Sequence, residues 1–245
     1  MRTRTALAVV AALIGTACSA QDPPAAAPGP DPVDTTAAAV RTTSAPRHEF
    51  DRTAHSTTDP ASMWVIVNKS HPIHPLDYEP AITLVRGYQV ATPAAGPLTA
   101  LLAASDRQGL GLKIASAFRS FGYQEGVYGD LVAADGREEA DRVSARPGYS
   151  EHQTGLAVDL VTPASPACDF EACFASTPGG RWLAHDAWRF GFVLRYGPGT
   201  AAVTGYSPEP WHLRYVGRAL AAELRRTHTT TLEEFFGVAG GDYRS

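Results

Sequence analysis

Positive charge is thin in this sequence. Its 245 residues hold 21 lysines and arginines against 25 aspartates and glutamates, a formal net charge of −4, and basic residues nowhere form a run. That excludes a nucleic-acid-binding surface and a polybasic membrane patch as organising features. Long apolar runs are missing too: the only membrane-directed stretch, Ala6 to Ile14, is too short to cross a bilayer. No internal repeat is visible. What remains, with 44% hydrophobic and 19% charged residues, is an ordinary globular composition for one or two domains.

Cysteine is also scarce, at three residues. Arg2 and Arg4 precede the Ala6 to Ile14 run and small residues follow it, the layout of a secretory signal peptide over residues 1–20. Gly15-Thr16-Ala17-Cys18 resembles a lipobox, in which Cys18 is lipidated and becomes the mature N-terminus, although its first position is Gly where Leu is usual. Ordinary cleavage after Ala20 is the competing reading. Either one sends the chain out of the cytoplasm, and a lipid on Cys18 would be its one tie to a membrane. Setting Cys18 aside leaves Cys168 and Cys173 as a pair in an oxidising compartment, where a short-loop disulfide is the natural reading, against two free thiols or a metal pair.

Residues 19–58 are rich in Ala, Pro and Thr with hardly any large apolar side chain, which predicts a disordered tether. Residues 59–245 suffice for one compact domain. Within it, Met63 to Val67 reads as a short strand. Pro97 opens a helix through Gln108, with Leu98, Leu101 and Leu102 on one face. Strands follow at Leu112 to Ala117, Leu156 to Val161, Phe192 to Tyr196 and Trp211 to Val216. Helices are predicted at Tyr123 to Ala134, Glu138 to Val143, after Thr177 as far as Phe190, at Arg218 to Arg226, and after Thr231 with its capping-box partner Glu234. Strands interleaved with helices, without a regular parallel repeat, indicate an α+β fold.

The stretch Ser150 to Asp159, SEHQTGLAVD, concentrates the chemistry. In its strand, Leu156, Val158 and Leu160 share one face and Ala157, Asp159 and Val161 the other. Asp159 therefore points out of an otherwise apolar strand, where a carboxylate is costly unless paired or bound to a cation. His152 stands seven positions earlier, too far for one helix face, so a loop and a strand must build the site together, with Gly155 allowing an unusual turn. About fifty residues on come Glu209, Pro210, Trp211 and His212. The proline biases Glu209 to extended backbone, and beyond it His212 and Arg214 share the strand face opposite Trp211, Leu213 and Tyr215. Two imidazoles and one carboxylate can hold zinc with a position open for water, leaving Glu209 as a base. Each residue alone has a plainer reading, as a hydrogen-bonded structural histidine or a turn-capping or arginine-paired aspartate. His48, His55, His71, His74, His185 and His228 take that plainer reading. The joint pattern sets His152 and His212 apart.

Together, SEHQTGLAVD and EPWHLRY resemble the VanY-like D-alanyl-D-alanine carboxypeptidases, zinc enzymes that trim the stem peptide of peptidoglycan. VNKSHPIHPLDYEP, SAFRSFGYQ, FGFVLRYG and TLEEFFG look like the same family in the same order, so the resemblance runs from Asp59 to about Gly237. It implies a single α+β domain with a small, mainly antiparallel sheet carrying the zinc site, flanked by helices. It also implies that His152, Asp159 and His212 bind one Zn2+ ion and that Glu209 is the catalytic base. Arg119 falls on an arginine near the substrate carbonyl or terminal carboxylate, the plainer alternative being a salt bridge. Gln124 and Ser150 match pocket-lining polar positions, Ser150 being equally a turn residue, and Trp211 flanks the site. The implied activity is release of the C-terminal D-alanine from peptidoglycan stem peptides in the bacterial cell envelope. Alternatives are an L,D-carboxypeptidase, an endopeptidase on the same stem, or a non-catalytic zinc-containing peptidoglycan-binding lipoprotein. The expected partner is the stem peptide alone, with no nucleic acid, and a monomer is expected.

Overall fold

The computed structural model describes residues 49–243; the signal peptide, Cys18 and most of the tether read above lie outside them. Residues 49–58, counted above with the tether, are packed on the domain. Phe50 stacks on Trp64 and meets Phe235 edge-on, Arg52 donates to the Phe235 carbonyl, and the Ile66 N–H bonds Thr57 O. The packed unit thus begins about ten residues before Asp59.

Strands β1 (Ile82–Val85) and β2 (Tyr88–Ala91) form an antiparallel hairpin where no strand is predicted above. Its turn residues Arg86 and Gly87 have φ of 50° and 89°. Positive φ at both positions matches the twist of a two-residue hairpin, yet an arginine gives no sign of it in sequence. Helix α1 (Thr92–Arg107) follows directly. It starts five residues before the predicted Pro97, which lies inside the helix, while Pro93 occupies the first turn. Leu98, Leu101 and Leu102 are fully buried on one face, as their spacing predicts.

Next come β3 (Lys113–Ser116), α2 (Phe121–Asp135), α3 (Arg137–Val143), β4 (Ala157–Val161) and α4 (Pro178–Asp186). The chain ends through β5 (Phe192–Tyr196), α5 (Ala201–Thr204), β6 (Glu209–Tyr215), α6 (Arg218–Thr227) and α7 (Leu232–Phe236). Most boundaries fall within two residues of those predicted. Helix α4 stops short of Phe190 and gives way to a 3-10 turn over Ala187–Phe190, closed by Gly191 at φ 84°. Strands β3-β4-β6-β5 form one sheet, antiparallel throughout. The domain is α+β, as expected. Leu98, Leu101 and Leu102 join Val158, Leu160 and Leu213 in the main core, while a second cluster gathers Trp64 and Ile66 with Leu220, Leu224, Leu232 and Phe235.

Met63 to Val67 is no strand. It alternates as one, with Val65 and Val67 in the main core and Trp64 and Ile66 in the second, but no neighbouring strand pairs with it. Its carbonyls are met instead by a side chain: Arg214 Nη2 donates to Val65 O at 2.7 Å and to Met63 O at 3.3 Å.

That arginine belongs to a buried ionic network. Arg214 Nη1 and Arg195 Nε both donate to Glu151 Oε1, at 2.9 and 2.8 Å. Arg195 also grips Glu233 with two bonds of 2.9 and 2.6 Å, and Asn68 Nδ2 donates to Glu233 Oε1 at 2.9 Å. The four charged side chains are almost wholly excluded from solvent, and two arginines balance two glutamates. Deleting one member of such a set leaves a buried charge unpaired, which costs about 3–5 kcal/mol. Arg195→Met should therefore lower unfolding stability by about that much in urea titrations. A loss below about 1 kcal/mol would assign the network no structural weight.

Candidate active site

The register of the sheet makes half of the site. Asp159 in β4 lies directly opposite His212 in β6, so both project from the same face, and Ser116 in β3 flanks Asp159 on its other side. His152 arrives from a 3-10 turn, Glu151–Thr154, that Ser150 caps by accepting from the His152 N–H at 3.3 Å. Gly155 ends the turn at φ 66°, and a Cβ there would stand 2.8 Å from the Ala91 nitrogen, which donates to Gly155 O. A side chain at this position would thus push the site loop off the end of β2.

The three predicted ligands converge. His152 Nε2 is 3.2 Å from Asp159 Oδ2, His212 Nδ1 is 3.1 Å from Asp159 Oδ1, and the imidazoles meet nearly at right angles with centroids 5.0 Å apart. One ligand atom from each residue falls within 4.8 Å of the others. His152 Nδ1 donates to Ala117 O at 2.7 Å, which turns Nε2 inward as an acceptor. His212 Nε2 faces Glu151 Oε2 at 3.4 Å, leaving Nδ1 for the centre. His152 Nε2 and Asp159 Oδ1 are buried yet make no hydrogen bond of good geometry. Buried polar atoms are rarely left so, and a cation among them would satisfy both. The donor set fits one metal ion.

Burial and the nearby Arg119 hold His152 below its ordinary pKa. Burial would lift Asp159, but the two imidazoles beside it keep it well below the usual carboxylate range. Burial likewise opposes charge on His212, yet the neighbouring Asp159 and Glu151 carboxylates raise it to about 9. Glu209, 3.6 Å from His212 Nδ1 and only partly screened from solvent, is pushed by burial up to about 7.

A cleft of about 570 Å³ opens over these groups, lined by Arg119, Ser150, Glu209 and Trp211 among others. Arg119 makes no ion pair among the described residues, and its buried Nε has no hydrogen-bond partner. Its backbone N–H bonds His152 O at 3.2 Å, which ties its position to the site loop. Ser150 plays both roles read for it, lining the cleft and capping the turn. Gln124 does not reach the cleft. It is fully buried, with Nε2 bonded to Ala145 O at 2.7 Å and Ser144 Oγ at 3.2 Å, so it braces two residues that line the cleft. The Cys168–Cys173 disulfide is formed. Among the histidines set aside, His55 packs edge-on against Trp64, His71 bonds Asn68 Oδ1 at 3.1 Å and His185 pairs with Asp186.

Sequence reasoning missed Glu151, Arg195 and Arg214. The signal was present: Arg195 and Arg214 sit inside apolar strands, as Asp159 does, and demand a buried partner for the same reason.

A family model described as VanY, D-alanyl-D-alanine carboxypeptidase, matches residues 87–218. This chain belongs to the VanY family. Among its relatives is YodJ of Bacillus subtilis, 33% identical over 189 residues, which are 73% of this chain and 68% of YodJ. Among solved structures, the LD-carboxypeptidase LdcB superposes with a TM-score of 0.67 at 32% identity, covering 74% of this chain and 89% of LdcB. A mutant of the vancomycin-resistance D,D-pentapeptidase VanY, solved in complex with Zn(II), gives a TM-score of 0.60 at 31% identity, covering 70% and 97%.

For this VanY-family chain, the isosteric change Asp159→Asn should weaken zinc binding by at least about a hundredfold in chelator-competition titrations, with the circular dichroism spectrum unchanged. Retained tight binding would remove Asp159 from the ligand set.

Proposed function

We propose that the protein is a zinc-dependent D-alanyl-D-alanine carboxypeptidase that removes the C-terminal D-alanine from peptidoglycan stem peptides. The observation that carries this reading is the meeting, in one cleft, of three ligand atoms, a separate carboxylate on Glu209 and an unpaired guanidinium on Arg119. A structural metal site has no use for the last two. His152, Asp159 and His212 hold the ion, which when bound supplies a Lewis acid and a water acidified toward neutrality. Glu209 is placed to take a proton from a water in the cleft and would return it to the departing amine. Arg119 donates to the developing oxyanion or to the substrate's free carboxylate, a task that suits its planar fork of donors. Ser150 lines the approach to the centre.

An L,D-carboxypeptidase acting on the shorter stem stands beside this reading, because LdcB, similar over most of its length, is named for that activity. The work is assigned to the outside of the cytoplasm, in the bacterial envelope. The signal peptide read within residues 1–20 ends just before Cys18 in this proposal, and Cys18 is a lipid anchor from which the stretch up to about residue 48 tethers a monomeric domain. No helix among the described residues is long and apolar enough to cross a membrane.

The decisive experiment is a mass-spectrometric digest of a stem pentapeptide ending in D-Ala-D-Ala and of the matching tetrapeptide, with zinc present. Loss of one alanine from the pentapeptide is expected; loss from the tetrapeptide alone would move the enzyme to the L,D class. Glu209→Ala should keep its zinc and lose turnover by about 10²–10⁴-fold. Full turnover in that variant would remove Glu209 as the base.

A further inference from the structure

One wall of the cleft is built in a way the proposed chemistry leaves unexplained. Cys168 and Cys173 close a ring of six residues, between short 3-10 turns at Pro166–Cys168 and Ala172–Ser176. The ring is rooted next to the site: Asp169 Oδ1 accepts from the backbone N–H of Thr162, the residue that follows β4 and lies three positions after Asp159. At its tip Phe170 has φ 59°, left-handed backbone that is strained for an aromatic residue. Such strain persists only where the surroundings enforce it, and it gathers at functional sites. Folding alone gains little from Phe170. The residue is 48% exposed, and among the described residues its one ring contact is an edge-on approach to Trp211 with centroids 5.9 Å apart.

Both aromatics face the cleft, and Trp211 is the chain neighbour of the ligand His212. They are apolar surface in a cleft otherwise dominated by charged and hydroxyl groups. A carboxypeptidase discards a single small residue, so most of a cleft of about 570 Å³ must hold the peptide on the amino side of the cut bond. We infer that Phe170 and Trp211 form a substrate subsite, an aromatic shelf fixed by the disulfide ring, on which the small aliphatic side chain and amide plane of that acyl-side peptide pack. This rests on the carboxypeptidase reading above. Because a covalent ring holds the shelf in place, its order does not have to be gained on binding.

The test compares kcat and KM of the wild type, Phe170→Ala, Phe170→Tyr and the double variant Cys168→Ser/Cys173→Ser on the pentapeptide and tetrapeptide. Zinc content and Tm are measured alongside. Phe170→Ala should raise KM about tenfold with kcat within twofold of wild type and zinc content unchanged. The double serine variant should share that rise, and Phe170→Tyr, which keeps the ring, should restore KM. Binding of the shortened product peptide to the Glu209→Ala protein should weaken by the same factor when Phe170→Ala is added. Wild-type turnover with an unchanged KM in Phe170→Ala, or a fall confined to kcat, overturns the shelf and leaves the carboxypeptidase reading standing. A zinc-loaded wild type that cleaves neither peptide overturns that reading, and the shelf with it.

Discussion

Glu151 is the residue on which the rest of this structure leans. One of its oxygens accepts from Arg195 and Arg214 at once, and the other faces the outer nitrogen of His212. Burial alone would drive such a carboxyl to hold its proton, but the two guanidiniums keep it ionised, well below its ordinary pKa. A permanent anion behind His212 fixes which ring nitrogen turns inward, and it raises the basicity of that ring as a ligand. The same anion justifies the burial of two arginines, one of which stitches the Met63–Val67 segment to the sheet. Ligand orientation and fold stability are thus served by one side chain.

Much of the site was legible because its residues contradict their surroundings. Asp159 in an apolar strand, and a histidine on each of two separated motifs, ask for one another before any geometry is known. The sheet register then delivers what spacing could not, placing Asp159 and His212 side by side. The stretches FGFVLRYG and TLEEFFG, which carried the family resemblance without any role in the chemistry, contain Arg195 and Glu233. Their contribution is the charge balance beneath the site.

What stayed hidden has physical reasons. The β1–β2 hairpin turns on Arg86, a residue that usually avoids positive φ, so no turn signal marks it. Met63 to Val67 carries strand-like alternation, but pairing depends on a neighbour, and its neighbour proved to be an arginine side chain. Gln124 is polar and close in sequence to Arg119, yet a helix turn points it into the interior, where it supports the cleft from behind. Alternation and motif spacing report which residues are special, and tertiary packing decides which way each one faces.

The buried network also joins parts of the chain that the site itself does not use. Glu233, at the start of α7, completes the charge balance that holds Arg195 against Glu151, while the ligands themselves all precede it in the chain. A nascent chain that already contains His152, Asp159 and His212 still has an uncompensated cation behind them. The charge balance beneath the site is therefore closed only when α7 stands against Arg195.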